Sequence, residues 1–289
     1  MNHFERILSQ NMQLSKKILY TLCMSRLKNE VRQFCSDNLL RLNTDLGQHF
    51  LVDENILEEI VHSGDIKETD HIVEIGPGIG VLTRELLYGA GKVTAVEIDE
   101  RMISLLKHFT GYSPALHIVN NDALKVELPD EPYKIIANIP YHITSPLLRH
   151  AMLESKTRPQ SMTLLIQKEV ADRICDTKSE SLLSITVKLF GEPHKVCNVP
   201  PAAFLPPPKV DSAVIHIECF KEPLVDKNTI DRVIKFAKIG FSMKRKMLRN
   251  SFVTFPGGLE LLSTAGIEET RRPQTLSVHE WIAVAKASK

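Results

Sequence analysis

Two rhythms of hydrophobic positions run through the chain. Short apolar runs read as buried strands: Val73-Glu74-Ile75, Val93-Thr94-Ala95-Val96, Leu116-His117-Ile118-Val119, Ile135-Ile136-Ala137 and Met162-Thr163-Leu164-Leu165-Ile166. Between them, apolar residues three and four apart predict helices. Examples are Ile56-Leu57 with Ile60-Val61, the stretch Val81 to Leu87, and Gln167 to Ile174. This alternation predicts an α/β fold, a mixed sheet flanked by helices. Lys209 to Ile217 alternates in its second half and reads as a late antiparallel strand. The last segment carries helical patterns, one in the basic stretch Phe241 to Ser251 and a final capped helix from Pro273 to Trp281. At the other end, Ile7, Leu8, Ile18, Leu19, Leu22 and Leu27 predict one or two amphipathic helices.

What interrupts these runs carries the chemistry. The first strand ends in Gly76-Pro77-Gly78-Ile79-Gly80, where alternate glycines let the backbone approach a ligand closely. The second ends in Glu97-Ile98-Asp99, with Glu97 21 residues after Gly76, the range in which a carboxylate grips ribose hydroxyls. Asn121-Asp122 follows the third, and an Asp there can accept from an adenine amine. The fourth ends in Asn138-Ile139-Pro140-Tyr141, an amide, a proline and an aromatic ring together. Each group alone is more often structural. In order, at four successive strand ends, they point to a site.

The glycine pattern is G-x-G-x-G, with Val81 where a dinucleotide fingerprint needs its third glycine. Glu74, just before the turn, would repel a diphosphate. A cofactor with a cationic centre and an amino-acid end suits it better, and S-adenosylmethionine is the candidate. Asn138 and Tyr141 complete the picture. A flat base stacks on the ring of Tyr141, while the Asn138 oxygen and a backbone carbonyl accept both hydrogens of its exocyclic amine. Holding both hydrogens favours a pyramidal nitrogen with an available lone pair, a gain made mainly in the transition state.

With Gly47-Gln48-His49-Phe50-Leu51 and Phe204-Leu205-Pro206-Pro207-Pro208-Lys209-Val210-Asp211-Ser212 added, the series from Gly47 to Ser251 resembles the ribosomal RNA adenine dimethyltransferase family, which includes the kasugamycin-resistance enzyme of bacterial small subunits. The resemblance implies a Rossmann-like S-adenosylmethionine-dependent methyltransferase with a small C-terminal α-helical domain. It implies transfer of methyl groups to N6 of two adjacent adenosines near the 3′ end of small-subunit rRNA. Carried over by position, cofactor contacts fall on His49, Leu51, Gly76, Glu97, Asp122 and Asn138. The catalytic box falls on Asn138, Pro140 and Tyr141, with Phe204 closing a clamp on the base opposite Tyr141. Lys244-Arg245-Lys246-Met247-Leu248-Arg249-Asn250 is similar to an R-R-K-x-L-R-N element of the family, and Lys244, Arg245, Lys246 and Arg249 are the expected phosphate contacts.

Charge sharpens this. The net charge of the 289 residues is +1, yet residues 221–289 hold 13 Lys and Arg against 7 Asp and Glu. Positive charge gathered in the tail suits an RNA backbone. Three regions are therefore expected: an extension over 1–45, a methyltransferase domain over 46–220 and a basic helical rRNA-binding domain over 221–289. The extension is longer than the family usually has, and Asn43-Thr44-Asp45-Leu46 lacks the basic residues often found before Gly47 in relatives. Five scattered cysteines show no metal spacing and suit a reducing cytoplasm. The expected partner is small-subunit rRNA or a pre-30S particle, met by a cytoplasmic monomer without metal or membrane. The alternatives are an erythromycin-resistance-type enzyme acting on large-subunit rRNA and a non-catalytic nucleic-acid binder of the same fold. A Rossmann oxidoreductase is a distant third.

Overall fold

The computed structural model describes residues 26–42, 47–243 and 245–288. The helices expected from Ile7 to Leu22, the segment Asn43 to Leu46 and the side chain of Lys244 lie outside the described residues. The elements begin with α1 (residues 26–37), β1 (Phe50–Leu51), α2 (Glu54–Ser63), β2 (His71–Ile75), α3 (Val81–Gly89), β3 (Lys92–Glu97), α4 (Glu100–Thr110) and β4 (Leu116–Asn120). Then come β5 (Lys134–Asn138), α5 (Thr144–Arg149), β6 (Ser161–Gln167), α6 (Lys168–Cys175), α7 (Leu182–Lys188), β7 (Gly191–Val199), β8 (Phe204–Leu205) and β9 (Ser212–Cys219). Four helices follow: α8 (Lys227–Ser242), α9 (Leu248–Phe252), α10 (Gly258–Thr264) and α11 (Val278–Ala287).

Seven strands form one sheet in the order β4-β3-β2-β5-β6-β9-β7, parallel from β4 to β6 and antiparallel at β9 and β7. Strand periodicity explains the unbroken apolar runs. Val73, Ile75, Ile135, Ala137, Leu164 and Ile166 face one side; Ile72, Val93, Ile136, Leu165 and Val214 face the other, and both sides are buried. The second side packs against α1 to α4 and the short β1–β8 ribbon. The first is continuous with the apolar residues of α8 to α11, including Phe236, Phe252 and Trp281. The C-terminal helices thus share a core with the sheet.

Helix α1 is docked along the side of α3 and α4. Leu27 and Val31 are buried, and Phe34 meets Phe109 edge to face at 5.0 Å. Arg84 pairs with Glu30 at 2.6 Å while lying over the Phe109 ring. This spacing of apolar residues lets one stripe of the helix bury while Arg26, Arg32 and Gln33 stay in solvent.

Two expected helices begin or end elsewhere. The basic run is a connection: α8 stops at Ser242 and α9 starts at Leu248, with Lys246 N–H closing a turn on the Met243 carbonyl at 2.8 Å. Leu248 and Arg249 then hydrogen-bond to the Arg271 and Glu269 carbonyls, which fixes the connection against the chain before α11. The final helix starts at Val278 instead of Pro273, because Ser277 and Glu280 form a reciprocal cap there. β7 was missed, since Glu192-Pro193-His194-Lys195 is charged and proline-bearing; it is an edge strand, where both are tolerated.

The α8–α11 contact is tight. A methyl on Gly240 would lie 2.6 Å from the Trp281 ring, which is wholly buried. Gly240→Ala is expected to destabilise the protein by about 1–3 kcal/mol through overpacking, read as a lowered midpoint in thermal or denaturant unfolding. An unchanged midpoint would show that this joint is loosely packed.

Candidate functional site

The chain lays β3 and β4 on one side of β2, then returns to place β5 and β6 on the other. Such a reversal opens a crevice beyond the carboxyl ends of β2 and β5, where ligands of open α/β sheets bind. A cavity occupies that position. It holds about 1020 Å³ of empty space, counting the open solvent at its mouth. All four strand-end groups reach it: Gly76 and Gly78 after β2, Glu97 at β3, Asp122 after β4, and Asn138 and Pro140 at β5.

The glycine turn is shaped by close neighbours. Gly76 has φ 68°, and a Cβ there would crowd Pro140 at 3.2 Å. Gly78 has φ 58°, and a Cβ would strike the Phe50 ring at 2.7 Å. Gly78 N–H also donates to Glu97 at 3.1 Å, and Asp99 N–H to the other Glu97 oxygen at 2.9 Å. These bonds fix the carboxylate at the end of β3.

Segment 47–51 crosses the cavity as a strap. Gln48 donates to Asp99 at 2.9 Å, His49 Nδ1 lies 2.8 Å from the Pro206 carbonyl, and β1 pairs with β8. Asn138 Nδ2 donates to the His49 carbonyl at 3.1 Å. That bond orients the amide, and among the described residues its oxygen has no hydrogen-bond partner. Tyr141 begins a short 3₁₀ turn, and its hydroxyl lies 2.6 Å from the Ser212 hydroxyl on β9. Burial pushes the Tyr141 phenol up, so it stays un-ionised.

The electrostatics are acidic. Glu74 is buried, and among the described residues its Oε2 has no hydrogen-bond partner. Burial pushes its carboxyl up to about 8, with the Thr83 side chain working the other way and the Glu97 charge adding to the rise. Burial also raises Glu97, against the lowering effect of the Asp99 and Gly78 amides. Asp99 is held low by Arg101, which grips it at 2.6 Å. A cavity with this lining is suited to a ligand that brings positive charge. Among the described residues, no group of His, Cys, Asp and Glu is arranged to hold a metal.

The six residues expected at the cofactor, His49, Leu51, Gly76, Glu97, Asp122 and Asn138, all line this one cavity. Phe204 does not join them. Its ring is 1 % exposed in the core, and its backbone pairs with Leu51 in the β1–β8 ribbon. The physical reason is local: β8 needs an inward residue to seal the ribbon against the sheet, and Phe204 fills that place. Tyr141 stands beside the cavity, where the ring facing it is His49, with centroids 6.4 Å apart and planes 15° from parallel. Arg245, Lys246 and Arg249 are exposed in the α8–α9 connection and at the start of α9. Two contributors were not foreseen. Ile98 is 64 % exposed yet lines the cavity, and an apolar residue between two acids was its signal. Ser212 anchors Tyr141, a long-range bond that spacing alone could not reveal.

Comparison with known proteins agrees with this geometry. The family model for ribosomal RNA adenine dimethylase matches residues 39–289. The chain is 40 % identical over 265 residues to ribosomal RNA small subunit methyltransferase A of Dehalococcoides mccartyi, covering 87 % of this chain and 90 % of that protein. It is 36 % identical over 276 residues to the protein of the same name from Clostridium perfringens, covering 90 % and 96 %. Among solved structures, a dimethyladenosine transferase from Plasmodium falciparum superposes with a TM-score of 0.70 at 32 % identity, covering 80 % of this chain and 94 % of that one. The 23S rRNA methyltransferase ErmE gives 0.68 at 28 %, covering 82 % and 98 %. This chain belongs to the ribosomal RNA adenine dimethylase family, methyltransferases built on a Rossmann-like α/β sheet with a C-terminal helical region.

Proposed function

We propose that this protein transfers methyl groups from S-adenosylmethionine to N6 of two adjacent adenosines near the 3′ end of small-subunit rRNA, giving N6,N6-dimethyladenosine during ribosome biogenesis. The observation that carries this reading is the Asn138 amide. It is held by the His49 carbonyl with its oxygen open, beside a cavity walled by Glu74, Glu97 and Asp122. The names of the relatives support small-subunit rRNA as the target. The resemblance to ErmE keeps a large-subunit adenosine as the second reading. No helix of the described residues is long and apolar enough to cross a membrane, in keeping with a cytoplasmic enzyme meeting rRNA or a pre-30S particle.

The residues present suit the cofactor. Among the described residues Glu74 brings a buried oxygen without a hydrogen-bond partner to the cavity, and Glu97 presents its carboxylate to the same space. When bound, S-adenosylmethionine supplies a methyl group already activated by its sulfonium. The protein's own part is placement. Glu97 and Asp122 receive hydroxyl and amine hydrogens of the nucleoside end, and Glu74 balances positive charge at the other. Asn138 Oδ1 accepts a hydrogen of the adenine amine, and Pro140, packed on Gly76, fixes the distance between amine and cavity. Alignment of amine and donor, with water excluded by the strap, supplies the rate. Everting the adenosine costs a few kcal/mol, offset in part by stacking on Tyr141 at about 1–3 kcal/mol. No general base is required, since the amine proton departs to water after transfer.

The reading is tested by incubating the protein with labelled S-adenosylmethionine and either unmethylated small-subunit particles or large-subunit RNA. Modified adenosines are then mapped by primer-extension stops. Label at two adjacent adenosines of the small subunit is expected. Label confined to large-subunit RNA would promote the second reading, and no label with RNA binding intact would favour a non-catalytic binder. Asn138→Ala is expected to lower single-turnover transfer by about 10²–10³ while leaving rRNA affinity nearly unchanged. Equal losses in both would make the box a structural element.

Glu74 gives the cofactor step a pH signature. Its folded-state value of about 8 means that the carboxyl is protonated near neutral pH. A cationic ligand favours the ionised form, so binding releases a proton below that value. Cofactor affinity is therefore expected to climb by up to about tenfold per pH unit between about pH 6 and pH 7.5. Calorimetry in buffers of different ionisation enthalpy should detect the proton, and Glu74→Gln should remove both effects. A flat profile in the wild type would contradict this placement of charge. Charge reversal at Arg245, Lys246 and Arg249 is expected to weaken rRNA binding and reduce its salt dependence by about one unit of slope per lost phosphate contact. An unchanged slope would move the RNA-binding surface elsewhere.

A further inference from the structure

Neighbouring residues tie the strap 47–51 to both halves of the crevice. The Gln48 side chain donates to Asp99 Oδ2 at 2.9 Å, just beyond β3. The next carbonyl, that of His49, accepts from Asn138 Nδ2 at 3.1 Å, at the end of β5. Between them the chain is threaded closely. Gly47 has φ 74°, and a Cβ there would lie 3.2 Å from the Pro140 ring. Gln48 and Asp99 both line the cofactor cavity.

Asp99 is placed to hold such a tie. Its side chain is 7 % exposed, and Arg101 clamps both oxygens, Nε on Oδ1 at 2.9 Å and Nη2 on Oδ2 at 2.6 Å. A bidentate grip of this kind fixes the rotamer and keeps the carboxylate ionised. Oδ1 also accepts from the Arg101 N–H at 3.1 Å, which caps α4. A cap needs only one oxygen, and a serine serves as well. The second oxygen is the one turned to the strap. The Asp99 N–H, meanwhile, donates to Glu97 Oε1 at 2.9 Å. One residue therefore touches both the carboxylate expected at the ribose and the segment that orients the Asn138 amide. We propose that Asp99 is a positioning residue of the methyl transfer: through Gln48 it latches the strap over the bound cofactor, and so keeps the Asn138 amide in register for the adenine amine. This rests on the S-adenosylmethionine reading above and assigns a residue to the closure of that site.

A latch acts on the balance between closed and open strap. A site competent only when closed binds its ligand with an affinity reduced by the closed fraction. Loss of one hydrogen bond to a charged group is thus expected to weaken cofactor binding about tenfold, mainly through faster dissociation.

The test uses full-length protein and S-adenosylhomocysteine as the probe, with affinity from calorimetry and dissociation from stopped flow. The variants are Gln48→Ala, Asp99→Ser and the two combined. Asp99→Ser retains a capping hydroxyl but is too short to meet Gln48. Gln48→Ala is expected to weaken binding about tenfold in the wild-type background and to cause no further loss beside Asp99→Ser, because both remove the same contact. Hydrogen exchange should quicken at residues 49–52 in both single variants, while the α4 amides keep their protection in Gln48→Ala. Additive losses in the double variant overturn the proposal, since the two side chains would then act independently. So does unchanged binding in Gln48→Ala, or exchange that quickens in α4 and not in the strap, which would make Asp99 a helix cap alone. A wild type that fails to bind the probe would instead count against the cofactor reading, so the two failures are told apart.

Discussion

A sheet that grows outward from β2 and then resumes on its other side must leave a crevice between β2 and β5. That topological constraint is what the rest of this molecule depends on. It brings the carboxyl ends of four strands, separated by more than sixty positions of sequence from Gly76 to Asn138, to one cavity. None of the groups there needs unusual chemistry. Backbone amides fix Glu97, burial tunes Glu74, and a carbonyl from the strap orients Asn138. The catalytic capacity comes from convergence.

The strap 47–51 is the second dependency. It is held by β8 on one side and by Asp99 on the other, and it contributes a wall and a carbonyl to the same space. Helix α1 precedes it in sequence and lies docked on α3 and α4, the helices that start at the glycine turn and after Asp99. Helix α1 therefore braces the β2–β4 half of the sheet on its outer flank. The C-terminal helices, by contrast, join the core of the opposite face through Phe236, Phe252 and Trp281, so the exposed basic residues Arg245, Lys246 and Arg249 sit on helices that share the sheet's core.

Much of this was legible in the sequence, for a physical reason. Strands buried on both faces leave unbroken apolar runs, and ligand-binding groups must sit where those runs stop, so Gly76, Glu97, Asp122 and Asn138 were marked by position as well as by type. The features that were missed depend on contacts between distant segments. Phe204, at the head of a proline-rich segment, suits a base contact or a core contact equally by type, and only the two-residue ribbon with β1 shows its ring turned inward. The basic run had a helix-like pattern, yet carbonyls of residues 269 and 271 capture its following amides and hold it as a connection. β7 was hidden because an edge strand tolerates charge and proline.

The central claim is that the Asn138 oxygen receives an adenine amine at the mouth of a cofactor cavity. It is tested most directly by solving the complex with S-adenosylhomocysteine and an adenosine-containing RNA fragment. The account predicts the exocyclic nitrogen within hydrogen-bonding reach of Asn138 Oδ1, facing the sulfur across the space where a methyl group would lie. An adenine seated elsewhere, or an Asn138 side chain turned away from it, would contradict the account.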